Sequence, residues 1–217
     1  KSGEIIAFMG RVGSGKSTIF KSLVRLLDPP AATVFIDGRD VRDYPLKQLR
    51  AQVALIPQDA FLFSDSIREN ITYDDPSRTD VPVWEAAEAS QLADTIREFP
   101  KELQTIVGER GITLSGGQKQ RATLSRGLIR EASVLAMDDC FAAVDTRTEE
   151  AILSGLARLR EGKTTFIISH RVSTARHADR VFVLDGGRVI ESGTHAELLK
   201  LDGYYANLER VQSNQAQ

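Results

Sequence analysis

Gly10-Arg11-Val12-Gly13-Ser14-Gly15-Lys16-Ser17-Thr18 holds, at the spacing G-x-x-x-x-G-K-[ST], the residue types that binding a polyphosphate requires. Glycines at 10, 13 and 15 let the backbone curl until its N–H groups point inward as an anion-binding nest. Lys16 then reaches the β- and γ-phosphates, and Ser17 offers a hydroxyl to Mg²⁺. A second glycine cluster, Leu114-Ser115-Gly116-Gly117-Gln118, precedes residues 119–129, which read as a helix. Ser115 is a natural N-cap, and the two glycines behind it would let a phosphate approach the helix start closely. The residues alone leave two readings open, a capped helix with a glycine hinge or a second phosphate-binding site.

Such groups do chemistry only if regular elements aim them. Ile5-Ile6-Ala7-Phe8-Met9 is a continuous apolar run and reads as a buried strand leading into the first loop. Residues 19–27 carry apolar side chains at helical spacing, so that loop opens onto a helix start. Strand, glycine loop and helix together predict a nucleoside triphosphate ligand. Asp28-Pro29-Pro30 is predicted to end the helix. Residues 33–36 read as a strand closed by Asp37-Gly38, and Pro45 opens a short helical stretch through Leu49. Val53-Ala54-Leu55-Ile56 is another buried strand, stopped by Pro57. Gln58 follows it, where the carboxyl ends of a parallel sheet place ligand-binding groups, although a Gln there is also an ordinary loop residue.

Val134-Leu135-Ala136-Met137 is a third buried strand running into Asp138-Asp139. An acid at that point holds Mg²⁺ in nucleoside triphosphatases with this loop, here Asp138, and Asp139 could position or activate the attacking water. Capping of the next helix by this pair is the weaker alternative, because residues 140–144 intervene. Asp145 fits that role better, ahead of a helix over 146–159 with Glu149 and Glu150 in its first turns. Thr164-Thr165-Phe166-Ile167-Ile168 is a fourth strand ending at Ser169-His170. His170 there either touches a γ-phosphate or is structural; His177 and His195 read as surface residues. Residues 181–185 and 188–191 pair as a hairpin across Gly186-Gly187, and a helical tail covers 194–211. Between 61 and 130 the strands give way to helix-favouring segments such as 84–89 and 92–97, broken by Pro100 and residues 108–111. The fold class that follows is α/β: a P-loop core over 1–60 and 131–217, with a parallel sheet flanked by helices and a helical subdomain inserted at 61–130.

The chain has 217 residues, 41% hydrophobic and 27% charged, with a formal net charge of −2. That balance suits a soluble globular domain and gives no electrostatic reason to expect nucleic acid as a partner. Lys119-Gln120-Arg121 reads as a solvated helix face. No apolar run approaches membrane-spanning length and no signal peptide is visible. A single cysteine, Cys140, leaves no internal disulfide partner and fits a reducing compartment. The start at Lys1, directly before a core strand, is expected of a piece of a longer polypeptide.

With the phosphate loop, Gln58, residues 114–118, Asp138 and His170 in place, the sequence resembles the nucleotide-binding domain of ABC transporters over essentially its whole length. Leu114-Ser115-Gly116-Gly117-Gln118 is similar to that family's signature. The resemblance implies a RecA-like core and ATP and Mg²⁺ as cofactors. It also implies a head-to-tail pair of such domains, each ATP lying between one domain's phosphate loop and the other's signature. It decides for Ser115, Gly116, Gly117 and Gln118 as nucleotide contacts. It implies that Gln58 senses Mg²⁺ and faces membrane domains, that His170 contacts the γ-phosphate, and that Asp145 closes the loop joining the two sites.

Three stretches resemble exporters in particular: residues 61–71, 105–111 and 191–198. Two departures matter. The residue after the Mg²⁺ aspartate is normally a catalytic Glu and here is Asp139, and Cys140-Phe141-Ala142-Ala143-Val144-Asp145 replaces a segment usually similar to Ala-Thr-Ser-Ala-Leu-Asp. Both resemble the degenerate half of a bacterial heterodimeric exporter. A third departure is that family members begin earlier, so the resemblance implies that the aromatic residue stacking on adenine, the first strands and the membrane domain would lie upstream of Lys1. The expectation is therefore a slowly hydrolysing ATPase domain on the cytoplasmic face of the inner membrane, partnered by a second such domain and by transmembrane domains. The rival readings are a regulatory clamp gated by ATP and a soluble ABC ATPase.

Overall fold

The computed structural model describes residues 2–108 and 111–215. In chain order the elements are β1 (Ile5–Gly10), α1 (Lys16–Leu23), β2 (Phe35–Ile36), β3 (Arg39–Asp40), α2 (Leu46–Gln52), β4 (Val53–Ile56), α3 (Ile67–Ile71), α4 (Asp80–Ala89), α5 (Ala93–Arg97), α6 (Gly116–Leu128), β5 (Val134–Asp138), α7 (Thr146–Leu159), β6 (Thr164–Ile168), α8 (Val172–Ala175), β7 (Arg180–Asp185), β8 (Arg188–Gly193), α9 (His195–Leu201) and α10 (Tyr204–Gln215). They fall into two compact units, one of Lys1–Leu55, Ala132–Asp139 and Arg160–Gln217, the other of Ile56–Glu131 and Cys140–Leu159.

The first unit is built on a six-stranded sheet of order β4-β5-β6-β1-β7-β8. β5, β6, β1 and β7 run parallel, and β8 returns antiparallel to β7. Parallel strands covered on both faces must be apolar throughout, which is why β1 reads Ile-Ile-Ala-Phe-Met without alternation. Its residues still point alternately. Ala7 and Met9 join a cluster with Val172, Ala175, Leu198 and Tyr205 from α8, α9 and α10. Phe8 packs instead with Phe20, Leu23 and Leu49 of α1 and α2, its ring 5.8 Å from that of Phe20. The helices thus cover both faces, and three strand ends, those of β1, β5 and β6, share one edge.

In the first unit several local outcomes differ from the sequence expectations. α1 stops at Leu23, ahead of the prolines. Arg25 takes a left-handed φ of 49°, Leu26 N donates to Lys21 O at 2.8 Å and Arg25 N to Ser22 O at 3.1 Å. This is a Schellman ending without its usual glycine; Arg50 of α2 supports it by donating to the carbonyls of Val24 and Arg25. The strand expected at 33–36 is only Phe35–Ile36, paired with β3 across Asp37 and Gly38, both at positive φ as a two-residue hairpin requires. The tail is two helices rather than one, since Asp202, at φ 55°, ends α9 before Gly203.

In the second unit α3, α4, α5 and α6 enclose an apolar cluster that includes Ile67, Ile71, Val83, Ile96, Leu114 and Ala122. α6 begins at Gly116 instead of residue 119, because Ser115 caps it: Ser115 Oγ accepts from Gln118 N at 3.3 Å and Gln118 Oε1 accepts from Ser115 N at 2.9 Å. Arg126, further along α6, donates to the carbonyls of Asn70 and Phe61. Gln120 is buried, not part of a solvated face. Among the described residues no helix is long and apolar enough to cross a membrane.

Candidate functional site

β1 delivers Gly10 to the sheet edge at φ 135°, where a Cβ would lie 2.0 Å from Leu184 O of the adjacent β7; no other residue type fits there. The chain then turns, Ser14 N donating to Arg11 O at 3.2 Å, with Arg11 and Thr18 exposed and Val12 projecting at the tip. Gly13 and Gly15 have φ of 82° and 99°. Gly15 is the N-cap of α1 and supplies no side-chain acceptor, so the leading N–H groups of the helix face the loop mouth. Lys16 folds over that mouth, its Nζ donating to Gly10 O and Arg11 O at 2.9 Å each and to Ser14 Oγ at 3.3 Å. Burial pushes its pKa down, and the carboxylates of Asp139 and Asp138 oppose the shift.

β5 brings Asp138 to the same edge, in register with Ile168 of β6. Ser17 Oγ donates to Asp138 Oδ1 at 2.9 Å. Asp138 is buried, which pushes its pKa up; the Ser17 bond opposes that, Asp139 adds to it, and Lys21 and Lys16 oppose it. Asp139 sits at φ 44°, a left-handed conformation that Asp tolerates better than most residues, and its N–H donates to Ile168 O at 3.0 Å. Its Oδ2 lies 4.0 Å from Nε2 of His170, which follows β6 and is 45% exposed. Lys16, Ser17, Asp138, Asp139 and His170 thus converge on one sheet edge, although they lie far apart in sequence.

Gln58 and residues 114–118 belong to the other unit. Gln58 is exposed in the bend after β4. At the start of α6, a Cβ on Gly117 would lie 2.8 Å from Ala143 O, and one on Gly116 3.4 Å from Ala143 Cβ. Gln120 Oε1 accepts from Ala143 N at 2.7 Å. Phe141 and Val144 of that loop are buried, and Asp145 Oδ1 accepts from Thr148 N at 3.0 Å, as its capping role requires. A cavity of about 450 Å³ opens between residues 60–64, 107–108, 113–114 and Lys119. Of the exporter-like stretch at 105–111, Glu109 and Arg110 lie outside the described residues. His195 is not a plain surface residue. Its Nδ1 lies 2.8 Å from the hydroxyl of the fully buried Tyr205. His177 is exposed, as expected.

Phosphate loop, strand-end acids and histidine on a parallel α/β sheet define a nucleoside-triphosphate-binding domain of the P-loop class. The profile of the ABC transporter family matches residues 1–142, and the chain belongs to that family. It is similar to the ATP-dependent lipid A-core flippase of Photobacterium profundum, 46% identical over 214 residues, which cover 97% of this chain and 36% of that protein. It is also similar to the heavy metal tolerance protein of Schizosaccharomyces pombe, 42% identical over 201 residues, covering 93% of this chain and 24% of that protein. Among solved structures it matches a bacterial Atm1-family ABC exporter with ATP bound at a TM-score of 0.91 and 41% identity, covering 97% of this chain and 37% of that one. The chain therefore spans about a third of the length of most of these relatives.

Proposed function

We propose that this chain is the ATP-binding and ATP-hydrolysing domain of an ABC exporter. One observation carries the reading: Lys16, the Ser17–Asp138 oxygen pair, Asp139 and His170 share the sheet edge onto which α1 opens. Gly10, Arg11, Val12, Gly13, Ser14, Gly15, Lys16, Ser17 and Thr18 would cradle the phosphates of ATP. Mg²⁺ would take oxygens from Ser17 and Asp138. Among the described residues no cluster of three or more His, Cys, Asp or Glu is placed to hold a metal. Two protein oxygens completed by phosphates and water suit Mg²⁺, which keeps much of its own shell. The metal would neutralise developing phosphate charge. Asp139 would orient the water and His170 would hydrogen-bond the γ-phosphate.

Ser115, Gly116, Gly117 and Gln118 would serve ATP bound by a partner domain. Because the Gln118 side chain closes the capping box, its contribution would be to hold the helix start. The helical subdomain at 61–130 would receive a transmembrane domain at the cavity beside Phe61 and Phe63, on the cytoplasmic side of the membrane. The partner would be a second, non-identical nucleotide-binding domain, since Asp139 stands where hydrolysing members carry Glu. That same feature favours the second reading, an ATP-gated clamp with negligible turnover. The test is ATP turnover measured over a range of protein concentrations, with and without the cognate partner. Full turnover by the isolated chain, independent of concentration, would contradict the paired-domain reading.

A further inference from the structure

We propose that Gln212, on the C-terminal helix α10, is a positioning residue for His170. The inference rests on the role given to His170 above. The carboxamide of Gln212 grips the turn that carries the histidine from both sides: Nε2 donates to His170 O at 2.7 Å, and Oε1 accepts from Val172 N at 2.8 Å. These bonds straddle Arg171 and so fix the backbone between the end of β6 and the start of α8. The turn needs such support. α8 is only four residues long, too short to be stable by its own propensity. Ser169 N also donates to Phe8 O at 3.3 Å, Arg171 N donates to Ser169 Oγ at 3.0 Å, and Ser169 Oγ pairs with Thr174 Oγ1 at 2.9 Å.

α10 is itself anchored away from this contact. The Glu191 carboxylate accepts from the backbone N–H groups of Tyr204 and Tyr205, capping the helix start. Tyr205 is fully buried, and Glu209 pairs with Arg176 just beyond α8. With its N-terminal half fixed, the helix presents Gln212 to the turn at a set height. Both ends of an amide are needed, a donor for a carbonyl and an acceptor for an N–H, and Gln offers both on one side chain. A shift of about 1 Å in a group touching the reacting phosphate can cost roughly a hundredfold in rate, so a partial loosening should cost on the order of tenfold.

The experiment compares Gln212→Ala, Gln212→Glu, Glu209→Gln and His170→Ala in the intact transporter with the partner's site disabled, reading the rate of hydrolysis at this chain's own site (kcat), ATP affinity and the imidazole resonances of labelled histidine. Gln212→Glu keeps the acceptor for Val172 N–H and loses the donor to His170 O. Both Gln212 variants should lower kcat roughly tenfold with ATP affinity unchanged, and should shift the His170 resonance while sparing that of His177. Glu209→Gln should leave kcat within about twofold. If His170→Ala abolishes turnover while the Gln212 variants retain it, the inference is wrong. It is equally wrong if Gln212→Glu retains full kcat, or if Glu209→Gln lowers kcat as much as the Gln212 variants, because α10 would then act only as a brace. If His170→Ala itself retains full turnover, the role assigned to His170 is what fails.

Discussion

Gln120 and Ala143 are joined through a 2.7 Å hydrogen bond from the Ala143 amide to the Gln120 side-chain oxygen, which ties the first turns of α6 to the loop after Asp139. The same residue leaves no room at Gly117, where a Cβ would come within 2.8 Å of Ala143 O. The helix start and the loop therefore constrain one another, and at Gly117 the opposing atom is a backbone oxygen, which cannot yield as a flexible side chain can.

Gly117→Ala and Gly116→Ala should consequently differ in sign. Alanine is intrinsically better than glycine inside a helix by up to about 1 kcal/mol. At Gly116 the nearest atom to the new methyl is Ala143 Cβ at 3.4 Å, an ordinary contact, so that gain should appear. At Gly117 the clash with a backbone oxygen should override it, with a net loss of about 1–3 kcal/mol. Urea unfolding of the two variants checks this; equal midpoints would mean that the loop is free to move aside.

Lys16→Ala should weaken ATP binding by roughly one to two orders of magnitude, since a charge-assisted contact to phosphate is worth about 1.5–3 kcal/mol. The backbone nest and α1 would survive the change, so some affinity should persist. Titration with labelled ATP is the measurement, and an unchanged dissociation constant would remove Lys16 from the phosphate site.

His195 supplies a pH dependence of stability. Burial pushes its pKa below the ordinary value, the nearby Arg176 pushes the same way, and Glu209 opposes them. The phenol of Tyr205, 2.8 Å from Nδ1, is pushed up to about 12 and so stays protonated throughout the accessible range. Above about pH 6.5 the ring is neutral in folded and unfolded chains alike. Below that, the unfolded chain takes up a proton that the folded site disfavours, and stability falls until the folded pKa is reached. Unfolding midpoints measured between pH 7.5 and 5 should therefore decline, and His195→Asn should flatten that decline.

The parts legible in the sequence are those with local causes. Continuous apolar runs announced β1, β4, β5 and β6, and each candidate acid or histidine sits just past such a run, so the shared sheet edge followed from strand ends alone. Ser115 announced its helix as an N-cap and the chain from Thr194 read as helical, while the capping boxes these residues form with Gln118 and Glu197 are seen in the structure. Contacts made at a distance were not legible. Nothing near Arg25 marks it as a helix terminator, and Arg50, which supports the ending, lies 25 positions on. Gln120 looks like part of a charged face until Ala143 is brought beside it. Gln212 has no local signal, because its meaning lies 42 positions away at His170.

Asp139 carries the last prediction. In the place of a glutamate its carboxylate is one methylene short, on the order of 1.5 Å from where the water would be held, and about 1 Å of misplacement can cost roughly a hundredfold. Asp and Glu have similar ordinary pKa values, so the deficit lies in reach and not in basicity. Lys16, Ser17 and Asp138 are untouched, so ATP should stay bound at this loop through cycles in which the partner's ATP is hydrolysed. Asp139→Glu is expected to raise single-turnover hydrolysis here by an order of magnitude or more, with ATP affinity little changed. The backbone sets an opposing term. At φ 44° Asp is better tolerated than Glu, so the variant should also lose some stability, within about 1 kcal/mol. The measurement is made with the second nucleotide-binding domain present and its own site disabled. If hydrolysis does not rise there, reach is not what limits this site, and the altered loop over residues 140–144 or the partner's signature becomes the place to look.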